Sequence, residues 1–119
     1  MQRFTNLLVW QRSHALALAL YRLMAQFPGD EKFGLTSQLR RAALSVPTNI
    51  AEGSKRISRQ DYARFLNMAE GSLAETEYLL MVDRDLGYLS AQDLDPHQKE
   101  VSEIASMLCS LRAKVSRMK

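Results

Sequence analysis

The sequence predicts an all-α chain, folded as an antiparallel up-down-up-down four-helix bundle with a proline kink at Pro47 in the second helix, and three observations carry that expectation. The 119 residues include only 5 Gly and 3 Pro, too few for the hairpins of a many-stranded sheet, which need turn residues about every 8 to 12 positions. Apolar residues instead recur at spacings of three and four in four separate segments. Short connections divide those segments, and short connections favour antiparallel neighbours. With 46% hydrophobic and 24% charged residues, residues 1–119 read as one domain without repeat, low-complexity tract or linker.

The first helix is expected over residues 7–27, stopped by Pro28-Gly29. Leu16, Leu20, Leu23 and Phe27 form one apolar stripe. Trp10, His14, Ala17, Tyr21 and Met24 form a second, broader than one core-facing seam requires. The surplus motivates an oligomer with Trp10, Tyr21 and Met24 at its interface, since aromatic and Met side chains dominate interface cores; for Trp10, ordinary bundle core is the alternative.

The second segment opens near Gly34 with Leu35, Leu39, Ala42, Ala43 and Val46, meets Pro47, and resumes with Ile50 and Ala51 before Gly53. Proline removes an amide donor and disfavours helical geometry at the preceding residue, so the segment is either one kinked helix or two short ones. The third helix starts at the N-cap Ser58, with Asp61 in the N3 position. Tyr62, Phe65, Leu66, Ala69, Leu73, Thr76 and Leu80 mark its buried face, and Gly87 is its C-terminal stop. The fourth is expected from Asp95-Pro96, with a stripe of Val101, Ile104, Ala105, Leu108, Leu111 and Val115.

Most catalytic templates fail on inventory. His14 and His97 are the only imidazoles, and neither follows a Glu at the spacing of carboxylate-bridged metal bundles. No P-loop or dinucleotide fingerprint occurs. Cys109 lies beside an apolar stripe and reads as a small buried hydrophobe. Asp83 and Asp85, two apart on a helix, point in different directions and read as solvated charges. The expectation is therefore no catalytic residue, no metal and no cofactor. A single cysteine excludes an intrachain disulfide and fits a reducing cytoplasm. The longest stretch without Asp, Glu, Lys or Arg is the ten residues 42–51, short of the roughly 18 to 20 of a membrane span.

The net charge is only +3, but its distribution is uneven. Residues 40–64 hold Arg40, Arg41, Lys55, Arg56, Arg59 and Arg64 against Glu52 and Asp61, while the remainder of the chain is close to neutral. Guanidinium groups offer a bidentate fork to phosphate, and each phosphate neutralised releases counterions. The six cations are candidates for nucleic-acid contact without base reading; alternatively they pair with acids of neighbouring helices or subunits.

Two polar motifs stand apart from solvent-facing filler. Asn49 and Glu52 follow Pro47, where freed backbone groups need partners. Gly71 and Ser72, with Glu75, interrupt the third helix, although Gly costs about 1 kcal/mol there relative to Ala. Gly71 and Ser72 are expected to admit the second helix closely, with Glu75 pairing with Arg41 or Asn49. The alternative is a ligand site.

The run Ser37-Gln38-Leu39-Arg40-Arg41-Ala42-Ala43 leading to Asn49-Ile50-Ala51-Glu52-Gly53, followed by Arg64-Phe65-Leu66 and by Gly71-Ser72-Leu73 with Glu75, resembles the four-helix-bundle proteins encoded in intervening sequences of bacterial 23S ribosomal RNA genes. The opening Leu8-Val9-Trp10-Gln11, Phe27-Pro28 with Glu31 and Gly34-Leu35, and Leu86-Gly87-Tyr88-Leu89 fit as well. That family is similar to the accessory variability determinants of diversity-generating retroelements. The resemblance implies a homopentamer of antiparallel bundles without enzymatic activity. It also implies RNA or DNA as ligand and a protein partner such as a reverse transcriptase. A structural or adaptor oligomer for a protein partner, without direct nucleic-acid binding, is the competing expectation.

Overall fold

The α-helices of the computed structural model, which describes residues 3–27 and 34–117, are α1 (Leu8–Met24), α2 (Leu35–Ser54), α3 (Arg59–Asp85) and α4 (Ala91–Arg117), preceded by a 3-10 turn over Phe4–Asn6. No strand occurs among the described residues. Pro28 and Gly29, the expected stop of the first helix, lie outside them.

Contacts between α2 and α3 run in opposite chain order. Gln38 of α2 donates to Glu75 of α3 at 3.3 Å, Ser45 meets Ser72 hydroxyl to hydroxyl at 2.9 Å, and Gly53 lies against Tyr62 and Phe65. In α1 and α4, Arg12 grips Glu100 with Nε at 3.0 Å and Nη2 at 2.5 Å, and reaches Glu103 at 3.2 Å. The Arg12 hydrogen bond holds the Glu100 carboxyl below its ordinary range. Arg112 of α4 donates to Glu70 of α3.

The core is the meeting of the expected stripes. Leu16, Leu20, Leu39, Val46, Ile50, Leu66, Leu73, Leu80, Ile104 and Leu108 are buried together. Val101 and Val115 join them, while Ala105 is exposed. Ala17 and Met24, placed by the sequence on a surplus stripe, are buried in the chain's own core. Met24, at 2% exposure, therefore offers no surface to a partner. A broad stripe on α1 is needed because that helix packs against both α2 and α4.

Local chemistry closes the helices. The Ser58 hydroxyl accepts the Asp61 amide at 3.0 Å. At the other end of α3, Gly87 has φ +84, its N–H donates to the Arg84 carbonyl, and the Tyr88 N–H donates to the Asp83 carbonyl. That pair of bonds is the Schellman stop, which needs a residue tolerant of the left-handed conformation.

Three expectations are corrected. The fourth helix starts at Ala91, not at Asp95-Pro96: Ser90 Oγ accepts the Asp93 amide at 3.0 Å, and Pro96 lies inside the helix. The earlier start carries Leu94 into the core at 1% exposure. Asp83 is fully buried, because it follows Thr76 and Leu80 on the core-facing rows of α3. Cys109 is exposed, since Leu108 takes the core position and the next residue is rotated away by about 100°.

α2 passes through Pro47 as one helix, so the two-helix alternative falls. Proline supplies no amide for the carbonyl four residues back, and side chains act on the neighbouring carbonyls. Thr48 Oγ1 donates to the Leu44 carbonyl at 2.7 Å, and Asn49 Nδ2 to the Ser45 carbonyl at 2.8 Å.

Candidate functional site

The six clustered cations separate on folding. Arg41 and Lys55, the residue that caps the end of α2, are 14 positions apart, or about 21 Å at 1.5 Å per residue. Arg40 and Arg41 lie toward the start of α2, whereas Lys55, Arg56, Arg59 and Arg64 gather at the α2–α3 turn.

Arg40 is held within the chain. Its Nη2 donates to the Tyr21 carbonyl at 3.0 Å, and its guanidinium carbon stands 4.7 Å from the centre of the Tyr21 ring. Tyr21, Arg40, Arg41 and Leu44 line an open cavity of about 670 Å³. Arg41 also borders the α2–α3 groove with Gln38, Ser45, Ser72 and Glu75. Trp10 is half-buried, stacked on exposed His14 at 5.0 Å and edge-on to Phe4 at 5.1 Å.

At the turn, Phe65 and Asp61 organise the arginines. Arg56 and Arg64 stand over the Phe65 ring at 4.4 and 4.9 Å, a placement that favours cations through the ring's quadrupole. Arg64 donates to Asp61 at 2.7 Å, while Arg56 approaches it at 4.0 Å. Lys55 and Arg59 are exposed and form no ion pair among the described residues.

A cavity of about 420 Å³ opens beside this cluster, walled by Leu7 of the α1 approach, Ile57 of the turn, Tyr62 of α3, and Leu111 and Val115 of α4. Arg56, Arg59 and Lys114 also line it, and no acidic residue among the described residues does. Burial raises the Tyr62 hydroxyl pKa. Lys114 was missed from the sequence, where it stands 50 positions from Arg64. Its position in the last turn of α4 was the available signal, because antiparallel neighbours return that turn to the α2–α3 junction.

The polar motif along α2 and α3 comes together in part. Asn49 Nδ2 also donates to Ser45 Oγ at 3.0 Å, linking it through Ser45 to Ser72. Glu75 accepts from Gln38 rather than from Arg41 or Asn49. Glu52 is exposed and has no side-chain hydrogen bond among the described residues. Gly71 is exposed with open space where a Cβ would stand, so it does not admit α2; the close approach is at Gly53. No group of three or more His, Cys, Asp or Glu able to hold a metal occurs among the described residues, and none of their helices is long and apolar enough to cross a membrane.

Residues 5–110 match the family model described as 23S rRNA-intervening sequence protein. The fold is similar to the crystal structure of a protein of unknown function from the S23 ribosomal protein family of Bacteroides thetaiotaomicron VPI-5482. The two share 25% identity at a TM-score of 0.79 over 88% of this chain and 98% of that one. No curated protein matches the chain.

Proposed function

We propose, from the premise that the chain belongs to the 23S rRNA-intervening sequence protein family, that it is a non-catalytic homo-oligomer binding the phosphates of RNA or DNA through one end of its bundle. The observation that carries this reading is the gathering of Arg56, Arg59 and Lys114 around one cavity that no acid among the described residues lines, next to exposed Lys55. Among the described residues Asp61 pairs with Arg64 and Arg56 alone, which leaves Lys55, Arg59 and Lys114 for phosphate. Such contacts are sequence-independent and weaken with salt, because each releases counterions from the nucleic acid. Arg41 serves as a second, more distant contact.

The oligomer is the other half of the proposal, with five copies as the number the resemblance implies. Half-buried Tyr21 and Trp10 are its anchors, and exposed Leu44 beside Tyr21 offers apolar area to a second copy. A stable monomer in light scattering removes this half.

Fluorescence anisotropy with mixed-sequence RNA and DNA tests the first half. Affinity is expected to fall steeply between about 50 and 200 mM salt, with a logarithmic slope of about −0.7 to −0.9 per phosphate contact. The double variant Lys55→Glu, Arg59→Glu should lose at least about tenfold in affinity at the lower salt and flatten that slope. Absence of binding at low salt, or indifference to salt, overturns the reading in favour of an adaptor for a protein partner.

A further inference from the structure

The cavity at the basic end has more apolar wall than phosphate binding alone requires. Tyr62 and Leu111 are half-buried in its sides, while Ile57, at its rim on the α2–α3 turn, is 106% exposed. A fully exposed branched aliphatic side chain between Arg56 and Arg59 gains nothing from the core. An exposed apolar side chain beside cations offers a surface on which the face of an already unstacked base packs. The volume of about 420 Å³ falls within the range of small-ligand sites.

From this juxtaposition we infer that the cavity takes one unstacked base of a single strand, with its flanking phosphates on Arg56, Arg59 and Lys114. The inference rests on the phosphate-binding reading and adds to it a preference for single-stranded over duplex nucleic acid. A duplex keeps its bases stacked and paired, so it presents phosphates to the cations and nothing to the cavity. A single strand presents both, and base stacking on a protein side chain tolerates any sequence because every base has a π-face.

The test compares a labelled single strand of roughly 12 nucleotides, within the span such sites cover, with its duplex at matched low salt. The full chain should bind the single strand about tenfold more tightly. Ile57→Ser, at a position with no core contact to lose, should reduce that ratio severalfold and leave duplex affinity unchanged. Arg59→Glu should weaken both forms together. If the wild-type ratio is near one, or if Ile57→Ser leaves it intact while Arg59→Glu lowers both affinities, the base pocket is overturned and phosphate binding stands. If neither form binds, both readings fail. A parallel arm with vesicles of phosphatidylcholine and phosphatidylserine separates the remaining source of anionic headgroups. Vesicle capture that depends on Ile57, together with no single-strand preference, overturns the inference in favour of a membrane surface.

Discussion

Near the α2–α3 turn, a Cβ on Gly53 would stand 2.7 Å from the Cβ of Phe65 and 3.1 Å from the Tyr62 ring, whereas a Cβ on Gly71, farther along the same pair of helices, would meet nothing within 4 Å. At the first place the two helices touch almost backbone to side chain. Farther along, the Ser45–Ser72 hydroxyl contact at 2.9 Å bridges them, and Gly71 faces out. The tight stretch is the one that builds the basic end. Phe65, pressed against Gly53, carries Arg56 and Arg64 over its ring, and Tyr62 walls the cavity that Arg59 and Lys114 share. Close packing and charge clustering therefore coincide at one end of α2 and part company at the other.

The largest effect expected from this contrast comes from Gly53→Ala. The atom nearest the new methyl is the Cβ of buried Phe65, fixed directly to the α3 backbone, so α3 must shift. Overpacking of this kind costs about 1–3 kcal/mol. Urea denaturation should show a lower midpoint at unchanged slope, and an unchanged midpoint would break the comparison. Gly71→Ala should have a smaller effect of opposite sign. In an exposed helix interior with room for the methyl, alanine stabilises by about 0.5–1 kcal/mol relative to glycine. A loss of stability in that variant would mean that α2 does approach Gly71, and would restore the close-packing expectation drawn from its place in mid-helix.

The helical elements were legible because their determinants are local. The Ser58 cap acts on an amide three residues away, and the Gly87 stop closes over six residues. The buried stripes of α3 and α4 follow from the period of the helix. Where two local signals compete, tertiary burial selects between them. Asp95-Pro96 is a good helix start, but Ser90 caps an earlier one, and burial of Leu89 and Leu94 favours it. Asp83 was read from its acidic neighbour rather than from its place on the core rows, where polarity alone misled.

The candidate site was legible only in part. Arg56, Arg59 and their neighbours stood out as a charged run, but a run of charge has no shape until the chain folds. Folding carried Arg40 onto Tyr21, removed Arg41 by about 21 Å along α2, and brought in Lys114. It likewise turned Gly53, an unremarked helix end in the sequence, into the point of closest approach.

By itself the sequence determined the four helices, the stops of α2 and α3 and most of the apolar faces that are buried. Each of these depends on groups within about one helical turn of one another, and the physics of hydrogen bonding and side-chain periodicity acts at that range. Only the tertiary structure decided which cations share a surface, which glycine is pressed against its neighbour, and where apolar wall meets basic rim. Those are properties of distances in space between residues as far apart as Leu7 and Lys114, which lie on one cavity although they come from opposite ends of the chain.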